Sequence, residues 1–491
     1  MAGPLDDSEP HRSDRAVGLP RFEDSFVIPE APDPGGAARV LLLPGAAGWA
    51  LPVWVHPARR GRTGRDLDDP FWPAALQREL RRRLGVEATV LHADLLDERD
   101  PATGDRRTVF VTENHSPGWT PPAGARWVGP AELRALPLAD AGQRAALEAW
   151  WAERAGARRP WRPAWQRPGW FARAAAWATA RLRRRGLAVT GPVELLGTKA
   201  GRALLRLPTD AGAVYLKALP PMYAREPRLL RLLAAAAPGA VPAVLAVDAR
   251  RRWHLTRDHG GVGLGGVEAL AIWERALRRF AELQVALAGR TADLFAAGCP
   301  DLRPARLVSH LEPLLDDEAA LWAGQPAGLT DPERQALAAL GPRLGPALGR
   351  LAGGSVPATL VHGDFLPGNV AVAAGRPVFV DWGEATVSHP FFSPVRFLVS
   401  AHFRGRAVRE DPALAARLRD AYLEPWGRHA SPTRLVEEFA LARALQPLQY
   451  ALTYRQLLAD AGPAAPGWER RTVAAASLRR LLAQAALPLP D

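Results

Sequence analysis

Asp364, Asn369 and Asp381 lie in LVHGDFLPGNVAVAAGRPVFVDWGEA, residues 360–385, the stretch whose side-chain types and spacing could do the most chemistry. Asp364 and Asn369 flank a Pro-Gly turn. Two short apolar runs, 370–373 and 377–381, then surround Ala374-Gly375-Arg376 in the pattern of a β-hairpin. Antiparallel strands of similar length bring their outer ends together, so Asp381 is expected beside Asn369, with Asp364 one turn away. Three oxygen-bearing side chains at one place suit Mg²⁺, a hard cation that takes one or two protein carboxylates plus phosphate oxygens. The remaining Asp is then free to orient a substrate hydroxyl. The alternative is a loop whose Asp and Asn only cap turns.

A further candidate comes from the cations. The chain has 63 Lys and Arg, yet Lys199 and Lys217 are its only lysines. A lysine kept against that bias fits a place where a compact, flexible ammonium is needed and a planar guanidinium is not equivalent. Lys217 lies in a strand-like apolar run, 213–219, followed by a leucine-rich helical stretch, 227–237.

The elements that must position these groups form a sheet-rich segment followed by a helical one. Strands are predicted over 203–208, 213–219, 242–248 and 252–258, and beyond Gly266 the chain reads as helical apart from the hairpin near residue 375. Ahead of them, 158–170 (RRPWRPAWQRPGW) reads as a linker: its prolines forbid a regular helix and its tryptophans call for a surface to lie on. Basic residues interleaved with aromatics also describe a single-stranded nucleic-acid surface. An amphipathic helix is predicted over 171–187. Residues 38–150 read as a separate α/β unit, with strands at 40–43, 51–55 and 108–114 and helices at 72–84 and 132–151. Residues 1 to 30 are polar and Pro/Gly-rich and read as a disordered tail.

The signature HGDxxxxN followed by DW, here His362, Gly363, Asp364, Asn369, Asp381 and Trp382, resembles that of the aminoglycoside phosphotransferase-like small-molecule kinases. The resemblance implies a bilobal protein-kinase-like domain over 188–491, with a small sheet-rich lobe and a large helical lobe. It also implies ATP and Mg²⁺ as cofactors, Asp364 as catalytic base, His362 as a brace for the catalytic loop, and Asn369 and Asp381 as metal ligands. Lys217 would hold the ATP phosphates with Glu226 as its helix partner; the alternative for Glu226 is a helix-capping carboxylate, since Pro227 suits the first helical position. The segment LLGTKAG, with Gly197 and Gly201, falls where a phosphate-covering loop belongs, and LTRDHGG, 255–261, where the interlobe hinge belongs. Two departures bear on the acceptor: Leu366 stands where the family often has His, and 389–398 (HPFFSPVRFL) lacks an Asp frequent after the metal Asp. Beyond residue 385 the chain has 14 Arg against 9 Asp and Glu, whereas a polycationic aminoglycoside calls for a carboxylate-rich pocket.

Residues 38–150 resemble a Nudix hydrolase domain with a degenerate Nudix box. With Gly64 at its first position, Pro70 stands at the early Glu, Arg78-Glu79-Leu80 at REU, and Gly85-Val86 at the end. Arg82 and Arg83 occupy the paired metal-binding Glu positions, and guanidiniums do not coordinate a cation. Trp127, Glu132 and Leu133 resemble the segment that often follows the box. The alternative is an unrelated mixed α/β domain.

The 491-residue length fits two or three domains, and 48% hydrophobic with 23% charged residues excludes wholesale disorder. No run is long and apolar enough to cross a bilayer, and the N-terminus lacks an apolar signal region, so a cytoplasmic protein without a membrane partner is expected. Cys299 stands alone, which excludes an internal disulfide. The expected function is phosphotransfer from ATP to a small-molecule hydroxyl. The alternatives are a pseudokinase-like nucleotide or metabolite sensor, and a basic nucleic-acid-binding protein favoured only by the net charge of +12 and the Trp/Arg strap.

Overall fold

The computed structural model describes residues 21–30, 38–45, 47–57, 73–156, 161–199, 201–462 and 470–485. The chain divides into two compact units, Met1–Pro160 and Trp161–Asp491.

In the first unit a mixed sheet runs in the order Val53–Pro57, Arg21–Val27, Arg106–Asn114, Ala88–His92. Its two central strands are parallel and the outer pairings antiparallel. Alternation divides the sheet's apolar residues between two layers. Phe26, Phe110 and Val90 pack with Leu76 and Leu80 of the helix Pro73–Leu84. Val27, Val109 and Val111 pack with Leu147, Trp150 and Trp151 of the helix Ala141–Arg154. The strand Arg21–Val27 corrects the expectation of a disordered tail to residue 30. Asp24 and Ser25 interrupt its apolar pattern, but both are buried with partners: Asp24 bonds His56 at 3.0 Å and Ser25 accepts from Gln143 at 3.1 Å. The single helix expected over 132–151 is two, Pro130–Leu133 and Ala141–Arg154. Pro137 lies between them, and Asp140 caps the second by accepting from Gln143 N.

The second unit opens with a five-stranded antiparallel sheet in the order Val244–Asp248, Trp253–Arg257, Gly212–Ala218, Arg202–Thr209, Glu194–Lys199. One face carries Ala203, Leu205, Leu216, Ala218 and Leu255, which pack under Trp170, Ala174, Ala178 and Leu182 of the helix Trp170–Arg183. Residues 161–187 are therefore part of this unit and not a free linker. Trp165 and Trp170 are buried, and Trp165 Nε1 donates to Lys199 O at 2.9 Å. Trp161, the first indole of the strap, is only partly buried. The helical part is built around one large core in which Trp273, Phe280, Phe365, Trp382, Phe391 and Phe397 are fully buried. Within it, the strand Thr359–Val361 pairs antiparallel with Thr386–Ser388, and Val370–Ala373 with Arg376–Phe379. Among the described residues no helix is long and apolar enough to cross a membrane.

Candidate active site

The other face of the five-stranded sheet is where the first site residues meet. Register places Gly197 opposite Leu204, Leu204 opposite Lys217, and Lys217 opposite His254, so one row crosses four strands. Gly197 lies within a strand and Gly201 at the tip of the hairpin that follows, so the glycine segment is a β-hairpin. A Cβ at Gly197 would meet nothing within 4 Å, which leaves open space above the row. Lys217 Nζ donates to Glu226 Oε1 and Oε2 at 2.7 and 2.8 Å and to Asp381 Oδ1 at 2.7 Å. Glu226 is the first residue of the helix Glu226–Ala236, so Pro227 falls at its second position without removing Glu226 from Lys217.

The opposing wall comes from residues 359–388. The hairpin turns as expected, with Val380 N donating to Asn369 O at 3.0 Å. Asn369 directs its side-chain amide to Asp364, donating to the backbone O at 2.7 Å and to Oδ2 at 3.3 Å. Asp381 instead turns its carboxylate to the sheet, where Arg202 Nη1 holds Oδ2 at 3.1 Å. The two carboxylates thus divide, one toward the lysine and one toward the helical part. His362 is buried, with Nε2 3.1 Å from Val380 O and its ring 4.3 Å from that of Trp382, and so links the two sides of the hairpin. Gly363 has φ +82, and a Cβ there would stand 2.2 Å from Glu384 O. Only glycine fits this approach. Asp381 is itself left-handed at φ 72, a conformation that surrounding packing must hold in a non-glycine residue.

Burial opposes the charge of Lys217, yet Asp381 and Glu226 outweigh it and raise its pKa. For Asp381 burial again opposes ionisation, and Lys217 with Arg202 holds the carboxyl well below the usual carboxylate range. His254 behind them is pushed down to about 3 by burial and by Lys217, so it is neutral.

The structure adds groups that sequence reasoning did not single out. Glu384 accepts from Tyr454 Oη at 3.1 and 3.0 Å and pairs with Arg470. Arg470 also reaches Asp364 Oδ2 at 3.4 Å, and Arg396 reaches Asp364 Oδ1 at 3.5 Å. Burial, and then the Asp364 carboxylate, push Glu384 up to about 8 despite Arg470. The one signal for Glu384 was its place after Asp381-Trp382-Gly383; Arg202, Arg396, Tyr454 and Arg470 gave none.

The donor set fits Mg²⁺. Asn369 commits its amide nitrogen to Asp364, which leaves the amide oxygen for a cation, and Asp381 supplies a fully ionised carboxylate. Among the described residues no three His, Cys, Asp or Glu side chains group as a metal site, so a cation here would complete its shell with phosphate and water oxygens, as Mg²⁺ does. Arg202, about half exposed, competes for the same Asp381 oxygen.

The Nudix-box positions differ. Gly64 and Pro70 lie outside the described residues. Arg78, Glu79, Leu80, Arg82 and Arg83 are on the helix Pro73–Leu84, which Gly85 ends at φ +68. Glu79 is paired with both Arg82, at 2.6 Å, and Arg83.

No curated protein matches the chain. Among solved structures, a choline/ethanolamine kinase family protein from Mesorhizobium loti is 20% identical, with 64% of this chain and 96% of that one covered and a TM-score of 0.43. Choline kinase LicA from Streptococcus pneumoniae is 13% identical over 64% of this chain and 98% of that one, with a TM-score of 0.42. An ADP-bound aminoglycoside phosphotransferase, APH(2'')-Ib, is 15% identical over 63% and 97%, with a TM-score of 0.42. The segment that carries Lys217, Glu226, Asp364, Asn369 and Asp381, residues 189–432, matches the phosphotransferase enzyme family.

Proposed function

We propose that the protein is an ATP- and Mg²⁺-dependent kinase that moves the γ-phosphoryl group to a hydroxyl of a small molecule. The observation that carries this reading is Lys217 bridging Glu226 and Asp381, with Asp364 and Asn369 joined on the facing wall. Lys217 holds the nucleotide phosphates, pre-set by two carboxylates. Asn369 and Asp381 hold the cation, which when bound neutralises charge on the phosphates. Asp364 accepts the acceptor's hydroxyl proton as its oxygen bonds to the γ-phosphorus, the β,γ-bridging P–O bond breaks and ADP leaves. His362 braces the turn that presents Asp364, and the hairpin with Gly197 and Gly201 covers the phosphates. Catalysis rests on position and charge.

The N-terminal unit is read as a Nudix-like scaffold without hydrolase chemistry, because Glu79 is neutralised by Arg82 and Arg83 where a metal site would need free carboxylates. The protein is placed in the cytoplasm, without a membrane partner, in keeping with its small-molecule and nucleotide substrates. The test is incubation with ATP, Mg²⁺ and a cytosolic metabolite extract, followed by mass spectrometry. A product heavier by one phosphoryl unit is expected. Failure of the full chain to bind ATP with Mg²⁺ present refutes the reading.

A further inference from the structure

The surroundings of Asp364 are cationic. Arg396, on the helix Phe392–Ser400, lies 3.5 Å from one carboxylate oxygen and Arg470 3.4 Å from the other. Arg480, on the helix Val473–Ala485, joins them through Tyr450: the Arg396 and Arg480 guanidiniums stand 4.9 and 6.0 Å from the centroid of that one ring. Asp364 is thus paired with Arg396 and Arg470, and Arg480 is a third guanidinium beside Arg396 at the Tyr450 ring. Arg480 donates to the Ser477 hydroxyl at 2.9 Å, and among the described residues it has no carboxylate within ion-pair distance. Arg396 Nε is buried without a hydrogen-bond partner. Burial, and then the like charge of Arg396, lower the pKa of Arg480, as expected for two cations brought together with no anion between them.

Resting on the reading of Asp364 as the base, we infer that the acceptor is itself an anion, whose carboxylate or phosphate group Arg396 and Arg480 hold while its hydroxyl faces Asp364. A guanidinium presents a planar fork that matches either oxyanion, and the Tyr450 ring restrains both forks. A cationic acceptor would meet repulsion at the same place. In the transfer the acceptor's anionic group is unchanged; only its hydroxyl loses a proton, to Asp364, and gains the phosphoryl group from ATP.

The test uses the full chain saturated with Mg²⁺ and a non-hydrolysable ATP analogue, so that the phosphate-binding side at Lys217 is filled. Calorimetric titrations then add inorganic phosphate, acetate or ethanolamine. Saturable binding of an anion is expected, weakened about tenfold or more in Arg480→Gln and largely restored in Arg480→Lys, which keeps the charge. Tighter binding of phosphate assigns a phosphorylated acceptor, and tighter binding of acetate a hydroxy acid. Binding of neither anion, binding undiminished in Arg480→Gln, or saturable binding of ethanolamine overturns the inference. If the analogue itself does not bind, the kinase reading beneath it is what fails.

Discussion

The helix Pro73–Leu84 and the wall around Lys217 both concentrate charge, but they use it differently. On the helix, Glu79 meets Arg82 and Arg83 three and four residues away, and the arginines stay largely exposed. Such pairs form wherever a helix repeats, and they add little. At Lys217 the partners come from 9 and 164 residues away and meet where the lysine side chain is only 12% exposed. Gathering like and unlike charges in a buried place is costly unless each has a partner, so a fold that does it has a use for them. Sequence distance and burial, more than the number of charges, separate the chemical wall from the solvated one.

Substitutions at the two walls should therefore differ by orders of magnitude. Asp381→Ala should abolish measurable binding of ATP with Mg²⁺ while the fold persists; unchanged affinity by calorimetry would remove Asp381 from the metal site. Asp364→Asn should keep nucleotide binding and lower turnover by roughly two to four orders of magnitude, the usual size of a general-base contribution. Near-normal turnover would break the assignment. Lys217→Arg keeps the charge and alters the geometry, and should raise the ATP KM about tenfold with a smaller change in kcat. An unaltered KM would make Lys217 an ordinary strand residue.

A pH experiment sharpens the contrast. Glu384 has a folded-state pKa of about 8 against an ordinary 4.5, so between those values the folded protein binds more protons than the unfolded one. Its contribution to stability is complete below pH 4.5 and is lost as pH rises through 8. Glu384→Gln should flatten the fall in Tm over that window, and a curve that keeps its slope would refute the assignment. The smallest effect is expected on the other wall: Glu79→Gln should leave turnover and the unfolding midpoint unchanged within measurement.

Legibility followed the same division. Asp364, Asn369 and Asp381 could be read from the sequence because a short hairpin carries them, and Lys217 with Glu226 because the strand leads directly into the helix. The five-stranded sheet was visible for a similar reason, except that the glycine segment hid the strand Glu194–Lys199. Arg396 and Arg470 meet Asp364 through the packing of separate helices, and no local period reports that approach. Arg202 reaches Asp381 across 179 residues. The strand Arg21–Val27 was hidden because the partners of its buried polar residues, His56 and Gln143, lie far along the chain.

The pairing of Thr359–Val361 with Thr386–Ser388 closes the chain on itself around everything from His362 to Glu384. The segment is tied at its neck like a purse, and its contents share one fate. Opening the neck would release Asp364, Asn369, Asp381 and the Glu384 network in a single subglobal event rather than fraying them one by one. In hydrogen exchange the protected amides of this stretch should therefore exchange together, and on warming the catalytic competence of the protein should vanish in one step, as a property of the closure and not of any single side chain.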